Sequence, residues 1–118
     1  MERVLRACVN TWNGLIAATK SEQAFRQELV VLLLAIPFAF VIADEAWKRL
    51  VLIGAVLLVM VVELLNTAIE KLSDHVTPSQ HPDIGRIKDM GSAAVGVALL
   101  IALFCWLLAA WEWALLWF

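Results

Sequence analysis

The sequence predicts an all-α membrane protein, with an N-terminal amphipathic surface helix followed by three transmembrane helices. Three observations carry that reading. Hydrophobic residues make up 63% of the 118 positions, and the mean hydropathy is +0.84, more apolar surface than a soluble chain of this length can bury. The apolar residues gather in three long runs separated by short polar breaks. One of those runs carries Glu63, Asn66 and Glu70 at helical spacing, so all three fall on one face of an otherwise apolar helix.

The elements follow in order within a single domain, residues 1–118. From Met1 to about Ser21, apolar residues including Val4, Leu5, Cys8, Val9 and Trp12 recur at intervals of three and four, with Arg3, Arg6, Asn10 and Lys20 on the other faces. This is a helix that lies in the membrane interface with its basic residues toward headgroups. The next helix covers about residues 24–43. Its uncharged run, Leu29 to Ala43, reaches only about 22 Å against a hydrocarbon core of about 30 Å. The preceding AFRQE therefore continues the helix, with Arg26 snorkelling to the interface. Pro37 is expected to kink it or to free a carbonyl. Because this first long run sits behind a charged segment, it reads as a retained span rather than a signal peptide.

Asp44, Glu45, Lys48 and Arg49 form a polar break, with Trp47 as an interfacial anchor. A third helix over about 48–74 contains the second span. The apolar stretch from Leu50 to Val62 places Glu63 about 20 Å along the helix, near the far rim of the hydrocarbon, and Glu70 about 10 Å further on toward water. Val76 to Asp83 (VTPSQHPD) carries two prolines and is expected to break the helix. The last helix, about 85–113, contains the third span from Met90 to Trp111. Ser92 and Gly96, then Ala94, Ala98 and Ala102, follow the small-xxx-small pattern of close helix packing. Trp106, Trp111, Trp113 and Trp117 form an aromatic belt at its far end.

Charge sets the orientation. With the N-terminus inside, Arg3, Arg6, Lys20, Arg26, Lys71, Arg86 and Lys88 lie on the cytoplasmic side and only Lys48 and Arg49 outside. The positive-inside rule thus predicts a cytoplasmic N-terminus, an external C-terminus and a cytoplasmic carboxylate cluster. A net charge of −2 without a basic run excludes a nucleic-acid partner. Cys8 and Cys105 read as small apolar fillers rather than a disulfide framework.

A carboxylate inside a membrane helix costs roughly 2.5–3.5 kcal/mol on insertion scales. Glu63 with its neighbours can bind a metal, move a proton, or hold another polar helix. Other polar groups converge on the same end: Glu22 and Glu28 from the start of span one, Lys88 and Asp89 from the entry to span three, and Arg3 from the surface helix. Carboxylates with an amide between them suit Mg²⁺, which takes one or two carboxylates plus substrate phosphates. Lysine beside an acid at a helix start suits phosphate oxygens. The set reads as a metal–nucleotide site at the membrane surface. The chain has no G-x-x-x-x-G-K-[ST] loop and no protein-kinase motif set, so nucleotide chemistry here uses an unrelated site.

AFRQE at Ala24–Glu28, VELLNTAIEKLSD at Val62–Asp74 and GRIKDMGSAA at Gly85–Ala94 resemble the signatures of the bacterial integral-membrane diacylglycerol kinases. The resemblance runs essentially end to end. It implies a homotrimeric inner-membrane enzyme that moves the γ-phosphoryl of MgATP onto diacylglycerol, giving phosphatidic acid, at sites shared between subunits. It further implies Glu63 as general base, Glu22 and Glu70 as metal ligands, and Asn66 as a supporting group. Arg3, Asn10, His81, Lys88 and Asp89 fall on the nucleotide side by the same resemblance. Arg3, Trp12, Phe25, Glu28 and Ser92 fall with Glu63 and Asn66 on the lipid side. Undecaprenol is an alternative acceptor for the same mechanism. An ion- or proton-conducting subunit, from a different class, would need polar residues through the whole depth of a span, and the outer halves of these spans are apolar. A purely structural assembly protein leaves the carboxylates unexplained.

Overall fold

The computed structural model describes residues 1–77 and 81–118, which form four α-helices: α1 (Glu2–Ser21), α2 (Gln23–Ile42), α3 (Ala46–Val76) and α4 (Pro82–Trp117). Three of them, α2, α3 and α4, are long and apolar enough to cross a membrane. The helices extend further than hydropathy alone indicates. α2 includes the polar AFRQE segment and reaches 20 residues, about 30 Å and a full hydrocarbon thickness. It runs through Pro37 without interruption, leaving the Leu33 carbonyl without its usual i+4 donor.

The largest departure is at the start of α4. Pro82 stands in its first turn rather than ending a break, because the missing N–H costs nothing where helix donors are unpartnered anyway. His81 is the N-cap: its Nδ1 accepts the Asp83 backbone N–H at 3.1 Å. Pro78, Ser79 and Gln80, the other part of the expected break, lie outside the described residues.

Arg26 fixes the joint between α1 and α2. Its guanidinium donates to the Thr19 and Lys20 carbonyls at 2.9 and 3.0 Å, satisfying carbonyls that the end of α1 leaves without helical donors. The side chain expected to snorkel to the interface thus caps a neighbouring helix. Glu22, the single extended residue between the two helices, is held at this corner.

α3 is the central helix and packs against both α2 and α4. A core near the α1–α2 corner joins Ala18, Phe25 and Met60, with Leu29, Leu32 and Leu64 around them. A second core at the opposite end joins Ala39, Ala43 and Leu52, bordered by Ile42, Cys105 and Trp106. There the Trp106 indole donates to the Leu52 carbonyl at 3.0 Å. Lys48 pairs with Glu112 at 2.9 Å, and Arg49 donates to the Ala43 carbonyl at 2.8 Å while stacking over Phe40. These contacts tie together the ends of α2, α3 and α4 that lie away from the α1–α2 corner. Most of the remaining apolar surface faces outward; in the most apolar stretch of α4 only 6% is buried. Such a surface is compatible with lipid or with further copies of the chain, and not with water.

Candidate active site

The polar side chains gather where the α1–α2 corner meets the second half of α3 and the start of α4. A continuous helix through residues 62–74 is dictated by strong helix formers and the absence of glycine and proline. That helix carries Glu63, Asn66, Glu70 and Asp74 at spacings of three, four and four, a single polar stripe. Each member has a distinct environment. Glu63 is half-buried among the apolar side chains of its own helix. Asn66 is buried, and its Nδ2 donates to Glu70 Oε1 at 3.0 Å. Asp74 is exposed and pairs with Lys88 Nζ across the α3–α4 connection.

The α1–α2 corner delivers two more carboxylates to this stripe. Glu22 pairs with Lys71 at 3.3 Å. The Ser21 hydroxyl and then the Lys71 ammonium hold the Glu22 carboxyl below the usual carboxylate range, so it is charged at neutral pH. Glu28 is half-buried, with Oε1 enclosed and unpartnered. The carboxylates lie within one another's fields: Glu63 feels Glu70 and Glu22, and Glu28 feels Glu63. Four acids crowded at one end of a bundle repel one another and make a strong attraction for a cation.

Among the described residues, no three acidic, histidine or cysteine groups stand close enough to enclose a metal by themselves. The donor set nevertheless fits a hard divalent ion that takes one or two carboxylates and completes its shell with phosphate oxygens and water. Lys71 already acts as a cation against Glu22, and the enclosed Glu28 oxygen is a free acceptor at the edge of the cluster.

The remaining residues anticipated at the site differ in how the fold places them. Arg3, Asn10 and Trp12 are exposed on the first part of α1, where the only enclosed residue is Ala18 near the far end. The fold of one chain does not bring them to the carboxylates. Phe25 is almost fully buried against Ala18 and Met60; it props the corner that carries Glu22 and Glu28 instead of facing an acceptor. Ser92 and Asp89 are exposed on α4. His81 is occupied as a helix cap. Sequence reasoning passed over Lys71, Asp74 and Gly91. Asp74 was recoverable as the next step of the Glu63–Asn66–Glu70 stripe, and Lys71 as the cation adjoining Glu70. The close approach of Gly91 to Asn66 depends on tertiary structure, since the two lie 25 positions apart.

The chain matches the family described as prokaryotic diacylglycerol kinase over residues 9–110. It is 45% identical over 110 residues to the diacylglycerol kinase of Escherichia coli, covering 93% of this chain and 90% of that protein. It is 40% identical over 106 residues to the diacylglycerol kinase of Pseudomonas aeruginosa, covering 90% and 86%, and 41% identical over 93 residues to that of Haemophilus influenzae, covering 79% of each. The four-helix arrangement, the carboxylate stripe on α3 and these similarities converge, and the chain belongs to the prokaryotic diacylglycerol kinase family.

Proposed function

We propose that this chain transfers the γ-phosphoryl group of MgATP to the free hydroxyl of diacylglycerol, giving phosphatidic acid and ADP, at the cytoplasmic face of the bacterial inner membrane. One observation carries the reading. A single helix holds a half-buried carboxylate, Glu63, and, seven residues further, the Glu70 carboxylate bound by Asn66, with the adjoining Lys71 paired to Glu22. The two ends of that stripe suit two phases. A lipid alcohol resides at the edge of the hydrocarbon, and a nucleotide remains in water about 10 Å along the helix.

In this reading Glu63 is the general base. It accepts the proton of the lipid hydroxyl as that oxygen bonds to the γ-phosphorus and the bond to the β–γ bridging oxygen breaks. Glu70 and Glu22 would hold Mg²⁺ with the nucleotide, where the ion would supply positive charge to the phosphates. Asn66 orients Glu70 through their hydrogen bond. Lys88 and Asp89, at the start of α4, serve the nucleotide, with Lys88 supplying positive charge to phosphate oxygens. Glu28, beside Glu63, completes the acceptor side together with Ser92. The exposure of Arg3, Asn10 and Trp12 on α1 supports a homotrimer in which the site is completed by a neighbouring copy. The basic residues at the α1, α3 and α4 ends support a cytoplasmic N-terminus and an external C-terminus.

Undecaprenol fits the same machinery, since it too is a membrane alcohol. The test presents purified protein in mixed micelles with equal amounts of diacylglycerol and undecaprenol, MgATP being supplied. Phosphatidic acid as the dominant product supports the reading. Dominant undecaprenyl phosphate keeps the mechanism and changes the acceptor, and transfer to neither refutes it.

A further inference from the structure

Asn66 presents an unusual economy. It is 92% buried by the complement of its 8% exposure, and its two polar atoms have different fates. Nδ2 donates to Glu70, whereas Oδ1 is enclosed without any hydrogen-bond partner. An unpaired buried carbonyl oxygen is unfavourable, and an apolar side chain of similar size would avoid that penalty. The amide is therefore kept for what its other end does.

The surface against Oδ1 is Gly91 on α4. Of the five glycines, four have open space where a side chain would begin, and only Gly91 does not. A Cβ built there would overlap Asn66 Oδ1 and stand 3.3 Å from Asn66 Cγ. The glycine hydrogen on that bearing points at Oδ1, the arrangement of a weak Cα–H···O contact. With Oδ1 seated on α4 in this way, Nδ2 is turned toward Glu70. Gly96, five residues along the same helix, has nothing within 4 Å of its would-be Cβ. The close approach is thus particular to Gly91 among the glycines.

We infer that Gly91 is a positioning residue: its missing side chain lets α4 close onto Asn66, which holds the Glu70 carboxylate in its metal-binding orientation. The inference rests on the proposed role of Glu70 in holding MgATP. Groups that orient a metal ligand from behind typically change metal affinity or activity by about 10–100-fold when removed, so the effect belongs in the KM for MgATP rather than in that for lipid.

The test is a double-mutant cycle on the full chain in mixed micelles, using Gly91→Ala, Asn66→Ala, the double variant, and Gly96→Ala as a control. The expected result is a KM for MgATP raised about tenfold in each of the first two, with lipid KM unchanged and Gly96→Ala like wild type. The double variant should match the worse single within about twofold, because both act through one contact. Effects that multiply to about a hundredfold, or a normal KM in Gly91→Ala, overturn the inference. If Gly91→Ala does not fold, the double variant is compared with Asn66→Ala alone, since removing the amide makes room for the methyl. Equal KM values then support the inference, and a further rise overturns it. Wild-type protein without any phosphoryl transfer refutes the proposed function itself, and the role of Gly91 falls with it.

Discussion

Replacing Glu63 by glutamine keeps the length and shape of the side chain but removes its ability to accept a proton. Two consequences follow. General-base catalysis contributes typically 10²–10⁴ in rate, so kcat should fall by about that factor, or roughly 2.7–5.4 kcal/mol in barrier. Glu63 lies seven residues, about 10 Å along α3, from Glu70. The KM for MgATP should therefore be unchanged within about twofold. Stability should not fall with the rate. Glu63 lies in the field of the like-charged Glu70, and like charges repel. Removing one should leave the folded protein no easier to unfold. The assay measures initial rates of phosphatidic acid formation in mixed micelles across MgATP and diacylglycerol concentrations, with thermal unfolding on the same preparations. An active Glu63→Gln enzyme, or one whose only change is a raised KM for MgATP, would refute the reasoning. So would a variant that is inactive because it is less stable.

Three further outcomes follow from the same contacts. Lys71→Met removes the cation that sits on Glu22, so half-maximal activity should need less divalent metal; an unchanged or increased requirement, read from a magnesium titration, counts against Glu22 as a ligand. The depressed Glu22 carboxyl makes a stabilising contribution that is fully present above its ordinary pKa and is lost as pH falls through its lowered one. Wild type and Glu22→Gln should therefore differ in unfolding at neutral pH and converge in acid, whereas a difference that widens on acidification would be the wrong sign. Trp106→Phe removes the indole bond to the Leu52 carbonyl; it should cost about 0.5–1.5 kcal/mol of stability while leaving kcat and both KM values unchanged, because the contact lies at the end of the bundle away from the carboxylates.

Much of the fold is legible in the sequence because hydropathy and helical spacing act locally. The short apolar run at Leu29–Ala43 could span a bilayer only if AFRQE continued the helix, and it does. Local rules are weakest where one residue type has two positional meanings. Pro82 reads as a breaker inside VTPSQHPD, yet it opens α4 behind the His81 cap, since a proline is harmful within a helix and harmless at its first turn. The site divides in the same way. Glu63, Asn66 and Glu70 share a face through spacing alone, but what Asn66 touches depends on how α4 crosses α3. Lys88 can be read as a phosphate ligand, but its pairing with Asp74 depends on how the chain folds back after α3. Arg3 and Asn10 share an exposed face of α1, and helical spacing alone does not carry that face to the carboxylates.

The central claim is that the carboxylate end of α3 is a phosphotransfer site joining nucleotide and membrane alcohol. It is tested most directly by following label from γ-labelled ATP into lipid, with purified protein and diacylglycerol in mixed micelles, with and without magnesium. The account predicts labelled phosphatidic acid that forms with wild type, stops when the metal is chelated, and falls by about 10²–10⁴ in Glu63→Gln, the usual contribution of a general base. Label that never enters lipid from folded wild-type protein, or that enters it equally well in Glu63→Gln, would contradict it.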